Sequence, residues 1–374
     1  MDRKIKLLSV FILSASLIGC NNLSEEKYSS DNVSVESSEN NGSYESSSIQ
    51  EESSTSEIEY TKFVEIDDIH LEVGETYYLK EVLADYRGLI VVSQNNEITS
   101  YNSQSKMLNA YKEGETNVVL KYKGQNQLVK VVVGKIGANY KFSKERLYSK
   151  GIVAFGDSVT ADATIGNSGK TYSRRFASRF EMNYLRNYAI GGTTATYMYK
   201  GSNIYKEYAN NKTAIDGCRV VYNAYKNGEL TNVDYAFIAY GHNDQYFQPP
   251  ITVQGDEIYC VDGTFETCNS YKGSYRYMIN VLREANPNIR IIVLNCTYSE
   301  YDNANPSPYG SKYCYEDYRI ATKEIAEEMG CKYIDPWDYM KELYDYGKGN
   351  INYSDSVHIT AIGHQKLSQF ISQF

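Results

Sequence analysis

From Lys150 to the C-terminus the chain alternates short apolar runs with segments of helical spacing, and no other feature limits the fold so strongly. The runs are Gly151–Phe155, Tyr184–Ile190, Asp234–Tyr240, Arg290–Asn295 and Lys332–Ile334. Between them, Thr171–Phe180 puts Tyr172, Phe176 and Phe180 on one helical face, and Tyr271–Arg283 is a second helix. Tyr313–Met329 is amphipathic and stops at Gly330, a residue suited to a C-cap; Thr360–Phe374 closes the chain as a helix. Strands that alternate with helices imply a parallel sheet with both faces covered. In such sheets ligands sit beyond the carboxyl ends of the strands, so functional residues are expected in the turns that follow them.

Those turns carry chemistry. The first holds Gly156-Asp157-Ser158-Val159, and the second Asn187-Tyr188-Ala189-Ile190-Gly191-Gly192-Thr193-Thr194. The third holds Gly241-His242-Asn243-Asp244, and Asp355-Ser356-Val357-His358 precedes the last helix. A serine, a histidine and an aspartate so placed fit a nucleophile, its base and the group that orients the base. A backbone N–H beside a glycine, with a side-chain amide, fits an oxyanion hole. There is no Gly-x-Ser-x-Gly motif, which argues against the α/β-hydrolase nucleophile turn.

The four blocks, in this order on this strand pattern, resemble the SGNH hydrolases (GDSL esterases and lipases) over roughly residues 148–374. The resemblance implies a flavodoxin-like three-layer α/β domain and carboxylic-ester hydrolysis through an acyl-enzyme. It puts Ser158 at the nucleophile, and Asp355 and His358 at the paired acid and base. Ser158 N–H, Gly192 and the Asn243 amide fall on the oxyanion hole. Gly192 is chosen because it precedes Thr193-Thr194; Gly191 takes its place if the alignment slips by one. Val159 stands where leucine is commoner and His242 where a small residue is common, so His242 is expected near the site with an effect on its charge. Asp157 reads as a brace of its turn, Asp244 as a residue of a helix start or turn, and His364 as a capping or packing residue. Nothing in the pattern calls for a metal or an organic cofactor.

The N-terminus reads as an address. Basic residues precede the 12-residue apolar run Leu7–Ile18, which is shorter than the ~20 residues a membrane-spanning helix needs. The run ends in Leu17-Ile18-Gly19-Cys20 and resembles a bacterial lipoprotein signal, which implies lipidation of Cys20 and anchoring at the outer face of the cell membrane. Residues 21–60 contain 13 Ser and 9 Glu, with few apolar residues. Such a stretch cannot offset its chain entropy by burial and reads as a disordered tether.

Residues 61–135 hold the short runs Ile69–Val73, Thr76–Leu79, Leu89–Val92, Asn117–Lys121 and Leu128–Val133, punctuated by Gly74, Gly88, Asn95-Asn96, Gly114 and Gly124. This spacing suggests a small β-sandwich. The stretches His70–Thr76, Gly114–Leu120 and Val131–Val133 resemble bacterial Ig-like domains of group 2, without the tryptophan often found mid-domain there. No catalytic constellation is visible, and the expected role is that of a spacer, with surface or carbohydrate binding as the alternative.

Composition settles two further points. Of the net −9, residues 1–20 carry +2 and residues 21–60 carry −9, which leaves −2 for the other 314. A nearly neutral body lacks the basic face that nucleic-acid binding needs. The 38 tyrosines reflect either coding bias or a surface suited to stacking on sugars. Six cysteines remain beyond Cys20: Cys260 and Cys268 flank a hairpin-like stretch and are candidates for a bridge, while Cys296 and Cys331 border apolar strands and read as buried thiols. The remaining pair, Cys218 and Cys314, adds no zinc-like spacing. The long loop Gln245–Ser270 is expected to shape the site, and it carries Tyr246, Phe247, Pro249-Pro250, Tyr259 and Phe265 rather than a long aliphatic run. An extracellular polysaccharide or glycoconjugate ester is therefore the expected substrate. The alternatives are a lipase or thioesterase of the same family, or a non-catalytic surface adhesin.

Overall fold

The computed structural model describes residues 58–166, 169–197, 216–256, 268–301, 309–346 and 351–374. The apolar leader, Cys20 and nearly all of the Ser/Glu-rich segment lie outside the described residues, as do Tyr259, Cys260 and Phe265.

Seven short strands come first: β1 (Ile69–Leu71), β2 (Thr76–Tyr78), β3 (Ile90–Ser93), β4 (Thr99–Asn102), β5 (Met107–Ala110), β6 (Gly114–Tyr122) and β7 (Gln125–Val133). They form a four-stranded sheet in the order β1-β7-β6-β3 and a three-stranded sheet in the order β2-β5-β4. Inward-facing Leu71, Leu108, Val118, Leu120, Val129 and Val131 make a common core. Strand β4, Thr99-Ser100-Tyr101-Asn102, is too polar to be seen in the apolar pattern, and β5, Met107-Leu108-Asn109-Ala110, is too short a run to stand out. The hairpin β6–β7 extends past its apolar stretch because Lys123 and Gly124, at φ +48° and +82°, make a tight two-residue turn that keeps Tyr122 and Gln125 paired. The buried Gln127 amide takes N–H bonds from Phe63 and Val64 at 2.8 Å and returns one to Val64 C=O, which pins the incoming chain.

A single-turn helix α1 (Lys144–Leu147), capped by the Ser143 hydroxyl, leads to the second unit. The five expected strands are present as β8 (Gly151–Gly156), β9 (Asn183–Asn187), β10 (Tyr235–Ala239), β11 (Arg290–Leu294) and β12 (Lys332–Ile334). They are all parallel, in the order β12-β11-β10-β8-β9. Every residue of β8 and β10 is buried, as a sheet covered on both faces requires. Strand β9 ends at Asn187, earlier than its apolar run, because the Asn187 carboxamide accepts the Ala189 N–H and turns the chain.

One face is covered by α3 (Gly217–Lys226), α5 (Tyr271–Ala285) and α6 (Tyr315–Glu328), the other by α2 (Tyr172–Arg179), α7 (Trp337–Tyr346) and α8 (Ala361–Ile371). The short α4 (His242–Phe247) follows β10 directly. Helices α3, α4 and α7 were not evident from spacing. The sheet is the flavodoxin-like arrangement, and its order reverses between β8 and β10, where a crevice opens. Many tyrosines fill the core: Tyr172, Tyr235, Tyr240, Tyr271, Tyr275, Tyr277, Tyr318 and Tyr353 are all under 2% exposed.

The two units are fastened by a buried ion network. Arg146 reaches Glu75 at 2.5 Å and the His70 carbonyl at 2.6 Å, and Arg290 reaches Glu75 at 3.1 Å. The Arg290 guanidinium and the Lys332 ammonium sit 4.6 and 4.8 Å from the Tyr140 ring centre. Arg290 opens β11, so this fastening lies at the amino ends of the strands, opposite the crevice.

Candidate active site

At the carboxyl end of β8 the chain must leave a fully buried strand within two residues. Gly156 permits this: a Cβ there would stand 2.6 Å from the Ala239 carbonyl oxygen and 2.5 Å from Thr160 Oγ1. Asp157 then shapes the turn, its Oδ1 accepting the Val159 N–H at 3.0 Å and its carbonyl accepting the N–H groups of Thr160 and Ala161. Ser158 emerges half-buried at the tip.

The last turn before α8 is equally determined. Ser354 N–H donates to the His358 carbonyl, and Tyr353 bridges Ile359, so residues 353–359 close on themselves. Inside that turn Asp355 Oδ1 accepts the N–H groups of Val357 and His358 at 2.8 and 2.6 Å. Its Oδ2 lies 2.7 Å from His358 Nδ1. On the far side of the ring His358 Nε2 lies 2.9 Å from Ser158 Oγ, across 200 residues of sequence. A proton on Nδ1, held by the carboxylate, leaves Nε2 with a lone pair aimed at the serine.

Burial alone would raise the Asp355 carboxyl, but the His358 and Val357 N–H groups and the imidazole outweigh it and hold the group below the ordinary carboxylate value. It is therefore ionised at neutral pH.

The second and third turns face the serine. Thr193 N–H closes a reverse turn on the Ile190 carbonyl, with Gly192 at its third position and φ +80°, a conformation suited to glycine. A Cβ on Gly191 would come 3.7 Å from the Ser158 Cβ, so this turn lies against the nucleophile position. The turn uses the Thr193 N–H and leaves the glycine amides for another acceptor. Asn243, in the first turn of α4, donates one amide hydrogen to the Thr193 carbonyl at 2.8 Å; its second remains for a substrate. The structure thus brings Ser158, Asp355, His358, Gly192 and Asn243 to one crevice.

The neighbouring residues have structural work. Asp244 is buried and accepts from Ala195 N–H, Thr196 N–H and Thr196 Oγ1 at 2.7–3.0 Å, which ties the second turn to α4. Burial pushes its carboxyl up to about 6, and burial raises Asp157 to about 7, partly offset by the Val159 and His242 N–H groups. His242 is close to the site, but burial depresses it to about 3, so it is neutral and brings no charge, against the expectation from its position. Its ring nitrogens face Tyr315 Oη at 3.3 Å and Thr297 Oγ1 at 3.2 Å. His364 packs on Tyr172 and accepts its N–H.

Sequence reasoning assigned no role to Asn187, whose Nδ2 donates to the Thr160 carbonyl at 2.8 Å and joins the first two turns. An asparagine at a strand end is its only local signal. Cys218, Cys296, Cys314 and Cys331 carry free thiols, and all but Cys314 are buried. A Cys260–Cys268 bridge cannot be read from the described residues, which omit Cys260. Among the described residues no group of three or more His, Cys, Asp or Glu side chains is placed to hold a metal ion.

A family model described as GDSL-like lipase/acylhydrolase matches residues 154–366, more than half of the chain. No curated protein matches it. Among solved structures, a protein from Lactobacillus plantarum is 14% identical with a TM-score of 0.41, covering 60% of this chain and 95% of that one. The acetyl xylan esterase AlAXEase is 17% identical with a TM-score of 0.39, covering 59% and 97%. An acetyl xylan esterase from Geobacillus stearothermophilus is 17% identical with a TM-score of 0.37, covering 60% and 93%.

Proposed function

The chain belongs to the GDSL-like lipase/acylhydrolase family, the SGNH hydrolases, and from that premise we propose that it cleaves carboxylic esters through an acyl-enzyme on Ser158. The observation that carries this reading is the unbroken contact Asp355–His358–Ser158, at 2.7 and 2.9 Å. A serine hydroxyl is a weak nucleophile at neutral pH. His358 Nε2 takes its proton as Oγ attacks the ester carbonyl, and Asp355 stabilises the imidazolium that forms. The carbonyl oxygen, now an oxyanion, accepts from the N–H groups of Ser158 and Gly192 and from the second amide hydrogen of Asn243. The imidazolium returns its proton to the leaving alcohol, and water repeats the sequence to free the acid.

We assign the substrate to the acylated carbohydrates outside the cell. Tyr246, one helical turn beyond Asn243, is 44% exposed and meets Phe247 and Tyr309 edge-on, with centroids 5.0 and 5.7 Å away. An exposed aromatic cluster on the helix that carries Asn243 suits a sugar ring better than a fatty chain. The lipoprotein-like leader and the acidic tether agree with a position outside the cell, held by a lipid on Cys20. The two-sheet unit serves in this reading as an Ig-like spacer.

Two experiments test these assignments. Initial rates on an acetylated oligosaccharide should exceed those on a long-chain p-nitrophenyl ester; the reverse order removes the carbohydrate reading and leaves a lipase. Cys20→Ser should move the protein from the membrane fraction to the soluble fraction, and persistent anchoring removes the lipid assignment.

A further inference from the structure

The acid and the base of this site share one short exposed turn, so its geometry depends on what holds that turn in place. Its own bonds close it locally, through Asp355 and through Ser354 to His358. They do not fix it against the sheet that carries Ser158. A second set of contacts does so. Glu300, in the segment after β11, donates its N–H to the Ser356 carbonyl at 3.1 Å. Its Oε2 accepts the Ser356 hydroxyl at 2.9 Å and the Tyr344 hydroxyl at 2.6 Å. Ser356 lies between Asp355 and His358. Glu300 therefore grips the middle of the turn by both main chain and side chain, while α7 holds the carboxylate through Tyr344. Tyr353 Oη adds a bond to the Tyr298 carbonyl in the same segment, at 3.3 Å.

We propose that Glu300 is a positioning residue: it holds the Asp355–His358 turn in register with Ser158, and Ser356 is the handle it uses. Neither touches substrate. The proposal rests on the Ser158–His358 reading above. Displacing a catalytic group by about an ångström can cost up to ~100-fold, and here the main-chain bond to Ser356 survives substitution, so a loss of roughly tenfold is expected.

The test uses the full chain and the rate at which a fluorophosphonate labels Ser158, a readout that needs no substrate. Glu300→Ala and Ser356→Ala should each lower the labelling rate roughly tenfold with thermal midpoints near that of the wild type. The double variant should lose no more than either single one, because both break the same contact. Glu300→Gln keeps an acceptor for both hydroxyls and should label within about twofold of wild type. With any ester that is turned over, kcat should fall and KM should hold. Wild-type rates in Glu300→Ala, or losses that multiply in the double variant, overturn the proposal. If Glu300→Ala unfolds, Ser356→Ala and Glu300→Gln still decide it. A wild-type protein that is never labelled contradicts the Ser158 reading instead, so the two failures are distinct.

Discussion

The proposed mechanism divides the Asn243 amide between two acceptors. One hydrogen goes to the Thr193 carbonyl, and the other is free for an oxyanion. Asn243→Ala should lower kcat by about 100- to 1000-fold, as loss of one oxyanion donor does, with a smaller change in KM; a loss confined to KM would remove Asn243 from the hole. Asp157 and Asp244 make a different prediction. Their folded values are raised by burial to about 7 and about 6, above the ordinary 3.8. Between about pH 4 and pH 7 these two carboxyls keep protons in the folded chain that they have lost in the unfolded one, so their contribution to stability falls as pH rises through that window. Asp355 has the opposite sign, but its loss comes only below the ordinary carboxylate range. Buried His242 and His364, both depressed to about 3, carry the opposite sign below the ordinary histidine value, so the test is a comparison with a variant: from pH 5.5 to pH 8 the thermal midpoint of Asp157→Asn should rise relative to that of the wild type, and an identical change in the two proteins would assign the dependence elsewhere. At this scale the sequence singled out Ser158, Asp355 and His358 as a set, and the folded chain brings the three into one line of contacts, because each is a distinctive residue type in a turn beside an element end. It was silent on Asn187, Glu300 and the neutrality of His242, which follow from contacts that only the folded chain makes.

Elements position these residues by their ends. Strands β8 and β10 are neighbours, and Gly156 lies against the Ala239 carbonyl where both release their catalytic loops. A methyl group there has no room between the Thr160 side chain and the Ala239 carbonyl oxygen, and the latter is backbone. Gly156→Ala should force the two strand ends apart, lower stability by about 1–3 kcal/mol and reduce kcat well beyond that of a surface alanine variant. Full activity with a wild-type midpoint would show that the crevice tolerates the shift. All five parallel strands were visible in advance, β8 and β10 most plainly, since strands buried on both faces are apolar almost throughout. The strands β4 and β5 and the helix α4 were not visible. The sequence Thr99-Ser100-Tyr101-Asn102 has no apolar alternation, and α4 is a single polar stretch organised by Asp244. Their structure comes from tertiary hydrogen bonds, to which periodicity is blind.

Across the whole molecule, the fastening between the two-sheet unit and the α/β unit lies at the amino ends of the sheet, and the catalytic crevice at the carboxyl ends. A five-residue strand such as β10 spans about 16 Å, so the two are separated by the length of the strands. Glu75→Ala would leave Arg146 buried without its carboxylate and Arg290 with only Glu72, at 3.4 Å, and should cost about 3–5 kcal/mol, with kcat unchanged in the protein that remains folded. A fall in kcat without a fall in midpoint would mean that the β unit reaches the site. Removing residues 61–135 should likewise lower the midpoint more than the turnover of a small ester. The account's central claim is the activated serine. Its most direct test is the intact mass of the full chain after exposure to a fluorophosphonate, beside Ser158→Ala treated identically. The account predicts one adduct on the wild type and none on the variant. An adduct on the variant, or none on a folded wild type, would contradict it.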